Sequence, residues 1–195
     1  MKAVNLIRSP YTSLVCNAGY ALGNCITGFF AHSWWLITVG AYYAVLAATR
    51  FSVLKIKRKA CGDHDTELFA RRITGFLLIV LSLCIVGVNI LSAVKDRGTV
   101  FHEIVMITIA TYTFSKITIA VIGMAKAKHS ASPAVQTLRN IALADACVSV
   151  YTMQRSMLVS FPGMEAAGIL IFNIFTGTAV WLVVLLLGIN LIGGK

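Results

Sequence analysis

Charged side chains interrupt the apolar runs in the second half of the sequence. Lys116 and Asp145 lie well inside two such runs, and Glu103 and Arg155 lie nearer to the ends of the runs. A charge at the centre of a bilayer costs about 2.5–3.5 kcal/mol, so such groups either pair or serve a function. If the two runs form antiparallel helices, Lys116 and Asp145 lie at similar depth and can pair, as can Glu103 and Arg155. The Lys116–Asp145 pair is then either structural or part of a substrate path.

Further polar side chains lie inside the apolar runs. Asn17 and Asn24 are seven residues apart, so they share one face of a helix. Buried amides and tyrosine hydroxyls need hydrogen-bond partners, which lipid does not supply. A transport function would require a shared cavity between helices, lined by these residues. The candidate substrate-path residues are Asn17, Asn24, Tyr42, Asn89, Lys116, Asp145 and Asn173.

The composition is that of an integral membrane protein. Of the 195 residues, 58% are hydrophobic and only 12% are charged, whereas soluble domains carry about 25% charged residues. The apolar runs are near the ~20 residues that a helical span needs, and they are too long and continuous for barrel strands. We therefore predict an all-α integral membrane protein with a single domain, 1–195, folded as a six-transmembrane-helix bundle. The predicted spans are about 11–31, 34–54, 73–94, 101–124, 134–160 and 166–192.

The net charge of +10 is explained more simply by membrane topology than by a nucleic-acid partner. Basic residues concentrate in the polar stretch between Lys55 and Arg72. In the predicted outer loops the only lysine and arginine residues are Lys95 and Arg97. Positively charged loops stay in the cytoplasm. The sequence therefore predicts a multi-pass protein of the cell membrane with both termini in the cytoplasm. Its expected partner is the lipid bilayer and not nucleic acid.

Neither a metal site nor a disulfide framework is indicated. The cysteines are scattered, without a CxxC pair, at Cys16, Cys25, Cys61, Cys84 and Cys147. An acidic cluster at Asp63, His64, Asp65 and Glu67 has oxygen-rich spacing that could hold a metal, but a solvated loop explains it better. We expect no metal and no cofactor.

Enzymatic activity is also not expected. The sequence contains no HExxH motif, no GxSxG motif and no glycine-rich phosphate loop. Asp145 is the only acid well inside a predicted span, which leaves general acid–base chemistry without a second group.

The fifth predicted span resembles the fifth helix of the cation diffusion facilitator transporters. The family's helix reads approximately SPALLADALHSRADALTS, and this chain has Ser132-Pro133-Ala134, Ala144-Asp145-Ala146 and Ser149. The segment 28–36 is similar to the family's GSLALLADA. The six spans, the short loop between the first two and the cytoplasmic loop between the second and third also agree. The resemblance implies a transporter with a similar six-helix bundle.

The family's metal ligands are largely replaced in this chain. The family binds its divalent cation with an HxxxD or DxxxD pair in the second helix and an HxxxD pair in the fifth. Those positions correspond to Tyr42 and Leu46, and to Ile141 and Asp145. A lone carboxylate does not hold zinc in a four-coordinate site. The expected protein is therefore transporter-like without the standard zinc site, and Lys116 could neutralise Asp145 in place of a bound cation.

Two other functions agree with the same sequence. One is the substrate-binding membrane subunit of a vitamin-type importer, whose ligand would enter from the outer side near His32, Trp34, Trp35, His102 and Glu103. The other is a structural or interaction protein that keeps a transporter scaffold. A homodimer through small-residue helices, such as the one with the GxxxG at Gly19 and Gly23, would fit that function.

Overall fold

The computed structural model describes residues 10–30, 32, 34–59, 64–94, 102–127, 133–161, 163 and 165–193. Within these ranges the chain forms six α-helices and no strand, which confirms the all-α prediction. The helices are α1 (Pro10–Phe30), α2 (Trp34–Lys59), α3 (His64–Val94), α4 (Glu103–Ala127), α5 (Pro133–Ser160) and α6 (Ala166–Gly193).

Four of the described helices are long and apolar enough to cross a membrane. The qualifying segments lie in α2, α3, α4 and α6 and are Leu36–Ile56, Leu68–Gly87, Glu103–Ala125 and Ala167–Gly193. Because lipid accepts only backbone whose hydrogen bonds are satisfied internally, such helices are the form that a membrane protein needs. The general prediction of a transmembrane helical protein is thus supported by length and hydropathy.

Helices α2 and α3 extend beyond the predicted spans. The sequence predicts a loop between Lys55 and Arg72, but α2 continues to Lys59 and α3 begins at His64. Lys, Arg and Glu are good helix formers, so a helix can continue past its apolar part. Of the acidic cluster, Asp65 is exposed in the first turn of α3, and Asp63 lies outside the described residues.

The helices associate as three antiparallel pairs. In the α1/α2 pair, a Cβ added at Gly40 would lie 3.0 Å from the Cys25 backbone nitrogen and 3.1 Å from the Ala21 carbonyl oxygen, so the two backbones approach closely. The turn between them places His32 at a φ of 49°. In the α3/α6 pair, a Cβ at Gly75 would lie 2.8 Å from the carbonyl oxygen of Gly188. The α4/α5 pair meets instead through long side chains.

Helix α5 lies at the centre of the bundle and contacts α2, α3, α4 and α6. Its fully buried Ile141 belongs to the same core as Leu46 of α2, Leu78 of α3 and Val184 of α6. Because neighbours cover most of its surface, α5 can carry polar side chains that a lipid-facing helix could not. The candidate site is built on this helix.

Candidate functional site

Asp145 is the only acidic residue that is buried among the described side chains, and three side chains from three other helices converge on it. Lys116 Nζ of α4 lies 2.6 Å from Oδ1. Asn17 Nδ2 of α1 donates to Oδ2 over 2.7 Å. The guanidinium of Arg50, on α2, lies 3.6 Å from the same oxygen. Asp145 therefore joins α1, α2, α4 and α5 in the bundle interior.

Ser149 lies one helical turn after Asp145 and extends this cluster. Its hydroxyl donates to the Asp145 carbonyl oxygen over 2.8 Å. Lys116 Nζ donates to Ser149 Oγ over 2.8 Å, and the Tyr43 hydroxyl lies 2.8 Å from the same oxygen. Because the serine proton is already donated, Tyr43 is the donor and Ser149 accepts twice. We call Asn17, Tyr43, Arg50, Lys116, Asp145 and Ser149 the Asp145 network.

Aromatic rings cover the ammonium of Lys116. Its Nζ lies 5.1 Å from the ring centre of Tyr43 and 5.6 Å from that of Tyr112. Cation–π attraction operates at such distances. Tyr20 completes the cluster, edge-on to Tyr43 at 4.8 Å between ring centres and stacked with Tyr112 at 6.4 Å. These three rings form one aromatic layer beside the network.

One carboxylate, that of Asp145, faces two cations of the network, Lys116 and Arg50. Arg50 is 2% exposed and Asp145 is 1% exposed. Water therefore screens the attraction between these charges poorly. The ammonium of Lys116 occupies one oxygen of the carboxylate that the family resemblance would assign to a metal. Among the described residues no group of three or more His, Cys, Asp or Glu side chains could hold a metal ion.

A cavity of about 220 Å³, lined in part by Tyr20 of the aromatic layer, lies between α1, the start of α2, α4 and α5. Its lining residues are Gly19, Tyr20, Gly23, Asn24, Thr27, Leu36, Ile109, Thr152 and Ser156. Asn24 Nδ2 donates to the Tyr20 carbonyl oxygen over 2.8 Å, and Thr152 Oγ1 donates to the Ser149 carbonyl oxygen over 3.0 Å. We call this space the hydroxyl-lined cavity.

The GxxxG of α1 lines this cavity and does not pack against another helix in the described chain. A Cβ added at Gly19 or Gly23 would meet nothing within 4 Å. The close approach of α1 to α2 occurs instead at Gly28 and Gly40. The missing side chains at Gly19 and Gly23 therefore provide room in the cavity.

The seven candidate substrate-path residues do not face one shared space. Asn17, Lys116 and Asp145 meet in the network, and Asn24 lines the cavity. The remaining three lie outside both: Tyr42, Asn89 and Asn173. The carbonyl oxygen of the Asn89 side chain accepts from the Tyr151 hydroxyl over 2.5 Å. The Tyr42 hydroxyl and Asn173 Oδ1 are buried and make no hydrogen bond within the described chain.

Glu103 and Arg155 are not brought together. Glu103 is exposed in the first turn of α4, while Arg155 is buried on α5, and the described residues include no ion pair between them. Helix α4 is covered on one side only, so the face that carries Lys116 turns toward α5 and the Glu103 side chain turns outward. Similar depth therefore predicts the contact between Lys116 and Asp145, but it does not predict which way the side chains of Glu103 and Arg155 face.

Sequence reasoning missed Arg50, Tyr43 and the network role of Ser149. Arg50 lies near the end of an apolar run, which predicts a side chain that extends to the membrane interface. In the structure Arg50 is buried beside Asp145. A signal was available, because Tyr43, Leu46 and Arg50 are spaced by three and four residues and share one helical face. Ser149 likewise follows Asp145 by four residues, on the same face of α5.

The chain matches no protein-family model and no curated protein sequence. Its resemblance to the cation diffusion facilitators therefore rests on the short stretches quoted above, chiefly those around Pro133, Asp145 and Ser149. The function has to be inferred from the Asp145 network and the hydroxyl-lined cavity themselves.

Proposed function

We propose that the chain is a six-span, transporter-like membrane protein whose bundle is similar to that of the cation diffusion facilitators but which lacks their zinc site. The observation that carries this proposal is the Asp145 network, placed inside an apolar bundle and next to a cavity. A buried ion pair repays its desolvation only in part, so these charges are costly to keep inside the bundle. Ionisable groups at this depth are typical of solute or ion pathways.

Six spans follow if α1 and α5 cross the membrane together with the four apolar helices. Helix α1 has 21 residues and helix α5 has 28 residues. At about 1.5 Å per residue, helices of these lengths reach the roughly 30 Å of a bilayer core. Helix α1 pairs with α2, and α5 is surrounded by the four apolar helices. An even number of spans places both termini on one side, and the positive-inside rule favours the cytoplasmic side of the cell membrane.

The packing supports a movable helix α1. Extensive close contact of α1 is confined to α2, so its link to the rest of the bundle includes the Asn17–Asp145 hydrogen bond and the ring contact between Tyr20 and Tyr112. Movement of α1 away from α4 and α5 would break the Asn17–Asp145 hydrogen bond and widen the cavity. Alternating access in other transporters arises from rigid-body rocking or gating of one part of the bundle against the rest.

Cysteine accessibility tests this proposal without knowledge of the substrate. The native cysteines are replaced, Thr152→Cys is introduced on α5 where it lines the cavity, and vesicles of each orientation are treated with a membrane-impermeant thiol reagent. A transporter exposes this position to both sides in turn, so labelling from both sides is expected. Phe175→Cys is the matched control, because Phe175 is 74% exposed on α6 and faces lipid in the proposed topology.

The other two functions give different labelling. A substrate-binding subunit of an importer exposes Thr152→Cys from the outer side only, and a non-transporting scaffold protects it from both sides. Either result, with the Phe175→Cys control unlabelled, would overturn the proposed transport function.

A further inference from the structure

We infer that the hydroxyl-lined cavity binds the uncharged, hydroxylated headgroup of a lipid, of the monoacylglycerol type, which enters from the bilayer between α1 and α4. The inference names the substrate class of the proposed transporter and rests on the proposed six-span arrangement, in which α1 and α5 lie in the membrane. Binding and transport are separate properties, and they are tested separately below.

The cavity is closed on three sides and opens on the fourth, between α1 and α4. Of the four helices around it, α1 packs on α2, α2 packs on α5, and α5 packs on α4, whereas the described residues of α1 and α4 make no extensive contact. Thr152 and Ser156 of α5 form a buried floor. Gly19, Gly23 and Thr27 of α1 also line the cavity, and all three are exposed. A ligand can therefore reach the floor by passing between α1 and α4.

Apolar side chains flank this opening. On α1, Leu22 and Ile26 are exposed, each one helical turn after a glycine that lines the cavity. On α4, Val105 is exposed one turn before the lining residue Ile109. In the proposed topology these side chains contact acyl chains. A ligand that enters here comes from the bilayer, so it needs a hydrocarbon part as well as a polar part.

The cavity lies at the depth of the lipid headgroups in this topology. Thr27 lies three residues before the end of α1, Leu36 two residues after the start of α2, and Ser156 four residues before the end of α5. At about 1.5 Å per residue, these positions are about 3–6 Å from the helix ends. The headgroup region occupies roughly 5–8 Å on each side of the hydrocarbon core. A lipid whose chain lies along α1 and α4 therefore brings its headgroup to the cavity.

The polar lining suits a headgroup with several hydroxyls. Asn24, Thr27, Thr152 and Ser156 offer hydroxyl and amide groups to a ligand. Such groups donate and accept hydrogen bonds, as the hydroxyls of a ligand do. Thr152 already donates to the Ser149 carbonyl oxygen, so its own oxygen is available as an acceptor. A ligand with a single hydroxyl would leave much of this lining unbonded in an apolar surrounding, which is costly.

The charges near the cavity lie behind its lining. Arg155 lies between Thr152 and Ser156 along α5, but it is 2% exposed and does not line the cavity. The ammonium of Lys116 contacts Asp145 and Ser149. No described residue of the lining is charged. A charged headgroup would thus leave water without a counter-charge in contact, which costs more than burying hydroxyls that bond to the lining. This difference favours an uncharged headgroup.

Three esters of dodecanoic acid test the headgroup. The glyceryl ester has two free hydroxyls, the 2-hydroxyethyl ester has one and the methyl ester has none. Each competes with a photoreactive monoacylglycerol for crosslinking to the purified full-length chain in phosphatidylcholine nanodiscs, and mass spectrometry locates the crosslink. Each ligand hydroxyl should strengthen competition about two- to tenfold, the effect of one net hydrogen bond. Glycerol alone should not compete, and dodecanoylglycerol phosphate, whose headgroup is charged, should compete less than the glyceryl ester.

Two glycine variants connect the crosslink to the cavity. Gly23→Leu places a side chain in the opening without a clash, since a Cβ there meets nothing within 4 Å, and should reduce crosslinking about tenfold or more. Gly87→Leu on α3 is the matched control, because its Cβ is equally unobstructed and lies outside the cavity. Ser156→Ala removes a hydroxyl of the floor and should weaken the glyceryl ester about two- to tenfold, with the methyl ester unchanged.

The ester series on the unaltered chain decides the inference even if a variant does not fold. Equal competition by the three esters, strongest competition by the phosphate, competition by glycerol alone, or the absence of a crosslink at the cavity would overturn it. Undiminished crosslinking in Gly23→Leu would do the same. The expected ester order without two-sided labelling of Thr152→Cys would overturn the transport function and leave the lipid site. Two-sided labelling without that order would do the reverse.

Discussion

Helices α3 and α6 approach each other backbone to backbone, whereas α4 and α5 meet through charged side chains. In the first pair, Gly75 and Gly188 bring the two main chains together. In the second pair, Lys116 reaches Asp145 over 2.6 Å. Lipid is as apolar as leucine, so helices in a membrane associate through close packing or through polar contacts. The α3/α6 pair relies on close packing, and the α4/α5 pair relies on polar contacts.

The difference separates scaffold from site. A contact between two backbones at van der Waals distance leaves no space for a solute and can hardly rearrange without loss of packing. A hydrogen-bonded cluster can exchange partners, and in this protein it lies beside a cavity of about 220 Å³. The α3/α6 pair therefore anchors the fold, and α1, which reaches the Asp145 network through Asn17, is the helix best suited to move.

The largest effect is expected from Asp145→Asn. The change leaves Lys116 and Arg50 buried without their shared counter-charge, which should lower the free energy of unfolding by about 3–5 kcal/mol. Lys116→Met should cost less, because Arg50 still neutralises Asp145. Chemical unfolding in mild detergent measures both, with Asp65→Asn, at an exposed position on α3, as the control. Equal stability of Asp145→Asn and Asp65→Asn would contradict the central role of the network.

The next effect concerns the α3/α6 contact. Gly75→Ala places a methyl group 2.8 Å from the Gly188 carbonyl oxygen. The backbones must then separate, at a cost of about 1–3 kcal/mol. Gly87→Ala on the same helix is the control, since a Cβ there meets nothing within 4 Å. The control should be neutral or more stable by up to about 1 kcal/mol, because alanine favours the helix. Identical melting temperatures for the two variants would show that this contact is not close-packed.

The smallest effect distinguishes two neighbouring tyrosines. Tyr43→Phe removes the hydroxyl that bonds to Ser149 and should cost about 1 kcal/mol. Tyr42→Phe removes a buried hydroxyl that makes no hydrogen bond within the described chain, so it should be neutral or slightly stabilising. The same unfolding assay compares the two variants. A greater loss of stability for Tyr42→Phe than for Tyr43→Phe would show that the polar network contacts the face of α2 that carries Tyr42.

Sequence periodicity predicted the apolar helices more reliably than their polar extensions. Helices α1, α5 and α6 begin and end close to their apolar runs. The run in α2 stops near Leu54 while the helix continues to Lys59, because lysines and arginines form a helix without an apolar pattern to reveal it. Hydropathy identifies the part of a helix that is buried in lipid, but it does not show how far the helix continues into water.

The site could be predicted where local geometry determines it. The short connection between α4 and α5 fixes their register, so depth alone places Lys116 beside Asp145. The position of Arg50 depends on how α2 packs against α5, a contact between segments far apart in sequence. The cavity could not be predicted either, because a GxxxG shows that a helix can approach closely but not whether one does.

Helix α5 is not among the described helices whose own hydropathy qualifies them to cross a membrane. It carries Arg139, Asp145 and Arg155, and each charge would cost about 2.5–3.5 kcal/mol at the bilayer centre. The groups that contact the Asp145 carboxylate, Asn17, Arg50 and Lys116, all precede it in the chain. During synthesis, every one of these partners has left the ribosome before Asp145 does. In the proposed six-span topology, the carboxylate can therefore be neutralised as it enters the membrane, and the polar central helix need never meet lipid alone.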